Sequence, residues 1–124
     1  MTFTEKTVDG FPLFELEGKV YSSTECKPIV DRIKQLIDED RIQILLDFSK
    51  ITYINSTGIG GMLTCIKKVK QKGGDLHFVA LPKKTRYYFK ITKLETILGI
   101  YADAEEAIKQ IRSKELEVRS QEAE

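Results

Sequence analysis

The chain has 124 residues, 41% of them apolar, which is enough for one packed core and too little for two domains. Twenty basic and nineteen acidic side chains leave a net charge of +1, so no overall field draws it to nucleic acid or to an anionic membrane. No run approaches the ~18 apolar residues of a membrane span, and the polar stretch Met1 to Gly10 lacks a signal-peptide core. Cys26 and Cys65 stand far apart in sequence without a CxxC pair, so their spacing offers no sign of a metal or redox framework. The expectation is a cytoplasmic single domain with reduced, half-buried thiols, and with its function held in a local site.

Thr2 to Val8 and Phe11 to Leu16 are short β-favouring runs, and Asp9-Gly10 between them is a strong turn signal, so the chain opens with a β-hairpin. Ser22 and Glu25 have capping-box spacing, and Cys26, Ile29, Val30, Ile33, Leu36 and Ile37 follow at helical spacing, which predicts a helix over 23–39. Pro28 inside it moves the start toward Thr24. Ile42 to Asp47 reads as a central strand covered on both faces, and Ile51 to Ile54 follows after a brief connection. Ile59, Met62, Leu63, Ile66 and Val69 then form one stripe of a helix over 57–72, ended by Gly73-Gly74. Leu76 to Leu81 is the next strand, and Pro82 suits the N1 position of a short helix over 83–92 with Tyr88, Phe89 and Ile91 as its apolar surface. Leu94 to Tyr101 holds a last short strand. Asp103 and Glu106 can cap a helix over 103–118 whose inner face is Ala104, Ala107, Ile108 and Ile111. Strands alternating with helices after a hairpin give the α/β class: a mixed, four- to five-stranded sheet covered by helices, with one domain over 1–113 and a fraying polar tail over 114–124.

One segment carries chemistry. In Asn55-Ser56-Thr57-Gly58-Ile59-Gly60-Gly61, three glycines crowd the first turn of a helix, where each costs ~1 kcal/mol relative to alanine. Glycines let another backbone or a phosphate come close to a helix N-terminus, whose N–H groups favour negative charge. The plainer alternative is that Asn55 or Ser56 is an N-cap and the glycines allow tight helix-to-strand packing. Gly58-x-Gly60 also sits where a dinucleotide-binding turn would, but position 63 is Leu63 rather than glycine, and no GxxxxGK[ST] string occurs.

The run Ile44-Leu45-Leu46-Asp47-Phe48-Ser49 followed by Ile51-Thr52-Tyr53-Ile54-Asn55-Ser56-Thr57-Gly58-Ile59-Gly60 resembles the signature of STAS-domain anti-sigma factor antagonists. Lys72-Gly73-Gly74-Asp75-Leu76 and the segment Leu94 to Ala107 are similar to the family in order and spacing, so the resemblance covers nearly the whole chain. It implies a non-enzymatic partner switch in transcription regulation. In that family the serine after the strand, here Ser56, is phosphorylated by an anti-sigma factor that is itself a serine kinase, and a PP2C-type phosphatase reverses it. The unphosphorylated form binds the kinase and releases its sigma factor. The implied partner surface is Asn55, Ser56, Thr57, Gly58, Gly60 and Gly61, with Asp47 as a further candidate, and no cofactor, metal, direct nucleic-acid contact or membrane insertion is expected. Where many members carry acids, this chain has Asn55 directly before the serine and Lys19-Val20-Tyr21 earlier on.

Two rival readings remain. STAS domains also serve as unphosphorylated scaffolds or accessory subunits of transporters, and the glycine-rich turn could in principle serve a weak nucleotide hydrolase. The hydrolase reading lacks a catalytic base and a phosphate-gripping lysine. His77, the only histidine, falls in an apparent strand and reads as structural. The lysines of the second helix read as its solvated face, and Tyr87-Tyr88-Phe89 as largely core.

Overall fold

The computed structural model describes residues 1–96 and 98–122, without side-chain detail for Ser23 and for residues 117–122. Strands β1 (Thr2–Val8) and β2 (Phe11–Val20) form the opening hairpin. Asp9 and Gly10 both take positive φ, 52° and 87°, the backbone of a two-residue turn whose twist suits the strands it joins. β2 runs to Val20, four residues past the expected end at Leu16, and its extra length alters the strand beside it. β3 (Gln43–Ile54) is one continuous strand rather than two separated by a connection, because the prolonged β2 gives Lys50 to Ile54 a parallel partner. Two register shifts, between Glu15 and Glu17 and between Gly18 and Lys19, take up the irregularity. Lys50 and Lys6 both bridge to Glu15, tying the three strands together at the surface.

β4 (Asp75–Val79) and β5 (Gly99–Tyr101) complete a five-stranded sheet in the order β1-β2-β3-β4-β5, antiparallel only at the hairpin. Alternation along the strands decides which helices lie on which face. Phe14, Leu16, Ile44, Leu46, Phe48, Leu76 and Phe78 point toward helices α1 (Lys27–Asp38) and α2 (Ser56–Gln71), while Leu13, Leu45 and Val79 point toward α4 (Ala104–Glu122), which contributes Ala107 and Ile108. The sheet is thus covered on both faces, as expected of a parallel core. The inner face of α4, with Ala107, Ile108 and Ile111 at 0–4% exposure, is the one expected, and Asp103 accepts the Glu106 N–H at 2.9 Å as its cap. The helix continues through the polar stretch to Glu122, and the last two positions of the expected tail lie outside the described residues.

Three local expectations need correction. The first helix begins as a 3₁₀ turn (Ser23–Cys26), and α1 proper starts at Lys27, which puts Pro28 in its first turn where the missing N–H costs nothing. No capping box forms: Ser22 makes no side-chain cap, and Glu25 instead accepts the Tyr21 N–H at 2.7 Å. Pro82 is the N-cap of α3 (Lys83–Ile91), one place earlier than N1. The aromatic run in α3 divides, with Phe89 fully buried edge-on to Phe78 at 5.6 Å and Tyr87 65% exposed.

Candidate functional site

The polypeptide leaves the C-terminal end of β3 at Ile54 and enters α2 at Ser56, so Asn55 is the hinge between the middle of the sheet and a helix start. Its extended backbone (φ −90°, ψ 175°) and short polar side chain make it an N-cap: Asn55 Oδ1 accepts the Gly58 N–H at 2.7 Å, and its carbonyl accepts the Ile59 N–H at 2.9 Å. The Asn55 N–H turns back to the Val20 carbonyl at 3.4 Å, which seats the helix start on the end of β2.

Gly58 makes that seat possible. A Cβ there would stand 2.3 Å from the Val20 carbonyl oxygen and 2.9 Å from its carbon. The tight-packing explanation for the glycines therefore holds at Gly58. It does not hold at Gly60, which is exposed and would meet nothing within 4 Å. Gly61 is half-buried.

Ser56 and Thr57 are both exposed in the first turn, where their N–H groups precede the first intrahelical bond. No acid lies in that turn, and none occurs in the sequence between Asp47 and Asp75, while Lys68 and Lys70 lie at the far end of α2. The positive end of the helix dipole beside Ser56 is therefore not offset by a neighbouring acid on this segment, a setting that favours an anionic group. Beside it, Tyr21 and Tyr53 form an exposed ring pair with centroids 5.7 Å apart. Sequence reasoning did not join these two tyrosines. The extension of β2 alongside β3 brings them together, since Lys19 pairs with Tyr53 and Val20 with Ile54.

Asp47 does not belong to this cluster. Rather than ending a strand beside the site, it sits inside β3, seven residues before Ile54, a span of roughly 20 Å at about 3.3 Å per residue. Its Oδ1 accepts the Ser49 N–H at 2.8 Å, a local bond within the strand at the last pair that β3 makes with β4, Asp47 with Val79. His77 lies away from Ser56 as well. It is 8% exposed, with Nε2 bonded to Gln43 Oε1 at 2.6 Å, and burial pushes its pKa below the ordinary imidazole value. Among the described residues, no group of three or more His, Cys, Asp or Glu side chains is placed to hold a metal ion.

The two cysteines, far apart in sequence, meet in the fold. Cys26 closes the 3₁₀ turn and is buried; Cys65 is on α2 and half-buried. Both line one apolar cavity of about 40 Å³ between the sheet and the two helices.

Comparison with known proteins gives consistent matches. The family model for the STAS domain matches residues 3–107. A Bordetella bronchiseptica protein provisionally named anti-sigma factor antagonist BtrV is 26% identical over 107 residues, 86% of this chain and 90% of its own length. The anti-sigma factor antagonist SpoIIAA in its unphosphorylated form superposes with a TM-score of 0.62 at 20% identity, covering 90% of this chain and 98% of SpoIIAA. The Bacillus cell-fate determinant SpoIIAA in its phosphorylated form gives 0.65 at 20% identity, covering 89% and 99%. A sulfate transporter family protein from Wolinella succinogenes gives 0.61 at 15% identity, covering 86% and 88%.

Proposed function

This chain belongs to the STAS domain family, and from that premise we propose that it is an anti-sigma factor antagonist, switched by phosphorylation of Ser56. In its unmodified form it docks on a serine-kinase anti-sigma factor through the surface around Asn55, Ser56, Thr57, Gly58, Gly60 and Gly61, and the sigma factor is released. The kinase phosphorylates Ser56, the complex separates, and a PP2C-type phosphatase restores the binding form. The protein is substrate and partner in this cycle, not catalyst. That role places it in the cytoplasm with its kinase, and no helix among the described residues is long and apolar enough to cross a membrane.

One observation carries the reading: Ser56 is an exposed hydroxyl on the first turn of a helix whose Gly60 side is open to close approach. Phosphorylation adds roughly −1.5 to −2 charges at neutral pH. In the free protein the helix N-terminus offsets part of that by ~0.3–1 kcal/mol, so the modified domain stays folded. In the complex the same charge is desolvated and poorly paired, at a cost of ~2–5 kcal/mol, so affinity falls roughly 30- to several-thousand-fold, mostly through faster dissociation. The names of BtrV and SpoIIAA, and the existence of SpoIIAA in both phosphorylated and unphosphorylated forms, support this reading.

The test is calorimetry of the cognate kinase with the unmodified and the enzymatically phosphorylated protein, with phosphopeptide mapping of the acceptor. A phosphorylated form that binds within about threefold of the unmodified one ends the switch reading. A Ser56→Ala variant that is still fully phosphorylated moves the acceptor elsewhere, with Thr57 the first place to look. In the first case the second reading takes over, in which the same surface holds a transporter or signalling assembly without a phosphorylation switch; in the second only the assignment of the acceptor falls. Asn55, Tyr21 and the likeness to the Wolinella transporter family protein favour that alternative.

A further inference from the structure

We propose that Cys26 and Cys65 are a redox pair that closes into a reversible intrachain disulfide when the protein meets hydrogen peroxide. The pair is made by the fold. Cys26 ends the 3₁₀ turn that leads into α1, and Cys65 sits two and a half turns into α2, on elements that pack directly against one another. Both side chains face the same small cavity, walled by Val20, Ile29, Met62 and Ile66, and both are free thiols. A disulfide needs its two sulfurs to draw together in a restricted geometry, and movement into packed side chains would oppose that. The cavity of about 40 Å³ beside the thiols leaves room for their rotamers to change.

The two cysteines are also unlike each other in the way that a reactive and a resolving thiol are. Cys65 is half-buried, within reach of a small oxidant. The neighbouring Cys26 thiol, and secondarily the positive charge of Lys68 one turn on, pull its pKa below the ordinary thiol value against the opposing effect of burial. Cys26 is pushed the other way, first by that same contact and then by burial, and stays a thiol.

The chemistry balances with peroxide as the oxidant. The Cys65 thiolate attacks one oxygen of hydrogen peroxide, the O–O bond breaks, and hydroxide leaves, giving a sulfenic acid. The Cys26 sulfur then attacks the Cys65 sulfur, the S–O bond breaks, and the departing hydroxyl takes the Cys26 proton as water. In sum, two thiols and one peroxide give one disulfide and two waters, and a dithiol reductant reverses it. The bond ties the start of α1 to the middle of α2, across a loop that contains β3 and Ser56. Constraining a loop of that length typically raises the melting temperature by roughly 5–15 °C. The pair stands whether or not Ser56 is a phosphate acceptor.

The experiment treats the reduced full chain with a modest excess of hydrogen peroxide, blocks remaining thiols with N-ethylmaleimide, and reads intact mass and a tryptic map. The expected product is lighter by two hydrogen atoms, takes up no maleimide, contains a linked Cys26–Cys65 peptide, melts higher than the reduced chain, and returns to the dithiol with dithiothreitol. Cys26→Ser should stop at a sulfenic acid on Cys65 that dimedone traps, and Cys65→Ser should not react over the same period. The proposal is overturned if the treated wild type still takes up two maleimides, if Cys65 passes to sulfinic acid while Cys26 remains alkylatable, or if the only disulfide joins two chains. The wild-type peptide map decides the matter even if a serine variant fails to fold.

Discussion

The parallel strands have two ends, and the same device, a glycine that admits a close neighbour, serves opposite purposes at each. At the C-terminal end of β3, Gly58 lets the start of α2 settle on the Val20 carbonyl, and that seat leaves Ser56 and Thr57 exposed with an open face at Gly60. At the N-terminal end, where Gln43, His77 and Gly99 lie on neighbouring strands, a Cβ on Gly99 would meet His77 Nδ1 at 2.9 Å and the Tyr101 ring at 2.8 Å. There the close approach buries a polar group, and Nδ1 is left without a partner among the described residues. Polar atoms held in the open are available to a partner, whereas those sealed against backbone only affect stability. The likeness of the two glycines hides that difference until their surroundings are compared.

The largest expected effect probes the seat itself. Gly58→Ala forces a methyl against backbone atoms of β2, which cannot rotate out of the way, so α2 must lift. Even after alanine's helix-propensity gain of ~1 kcal/mol, the net loss should be about 2–3 kcal/mol, read as a lower urea midpoint with unchanged slope. A neutral result would mean that the helix start is not pinned to Val20 and that the two ends differ less than their geometry says.

That seat also marks the limit of what the sequence discloses. The hairpin, the inner faces of α1, α2 and α4, and the position of Ser56 at a helix start all follow from local signals: Asp9-Gly10, apolar spacing, and a polar cap before glycines. What escaped were facts created by pairing. Nothing in Glu17 to Val20 alone shows that β2 continues, because those residues become strand only by lying beside Lys50 to Ile54, and for the same reason β3 looked like two pieces. The Tyr21–Tyr53 pair and the Cys26–Cys65 pair are likewise products of elements distant in sequence. Asp47 looked like a strand end because an acid follows an apolar run, yet the strand passes through it. The glycines could be counted but not sorted, since Gly58 and Gly60 differ only in what faces them.

The second prediction tests the sealed end by pH. Burial disfavours the imidazolium of His77, Lys114 and Lys70 add to that, and Asp75 opposes it, leaving the native pKa below the ordinary 6.5. Through that range the unfolded chain binds the proton and the folded one does not, so stability is full above about pH 7 and falls as pH drops through 6.5. One proton limits the slope to about 1.4 kcal/mol per pH unit. Urea midpoints measured between pH 8 and 5.5 should decline on the acid side, and His77→Gln, able to keep the Gln43 bond, should flatten that decline. An unchanged profile in the variant would assign the pH dependence to other groups.

Asn55→Ala probes the cap at the open end. The lost acceptor for the Gly58 N–H should cost about 1 kcal/mol, and Asn55→Asp should restore it, since an aspartate caps equally well and favours the helix dipole. Thermal melts of the three proteins would show it. If the alanine form melts with the wild type, water replaces the cap without loss.

The smallest expected effect has the opposite sign and completes the comparison begun at Gly58. Gly60 lies two residues further along the same helix, but a methyl there meets no neighbour, so only the backbone preference remains and Gly60→Ala should gain about 0.5 kcal/mol. A stabilising substitution there means that stability is not what this glycine serves. On the docking role proposed for this face, the added methyl stands where the partner's backbone comes close, so affinity for the kinase should drop severalfold while the melting temperature rises. Ser56 phosphorylation of the free variant by the same kinase offers an independent readout of how well it still docks. If Gly60→Ala gains stability and binds as before, the partner does not approach along this side of α2, and the contact surface must be redrawn around Ser56 and the tyrosine pair.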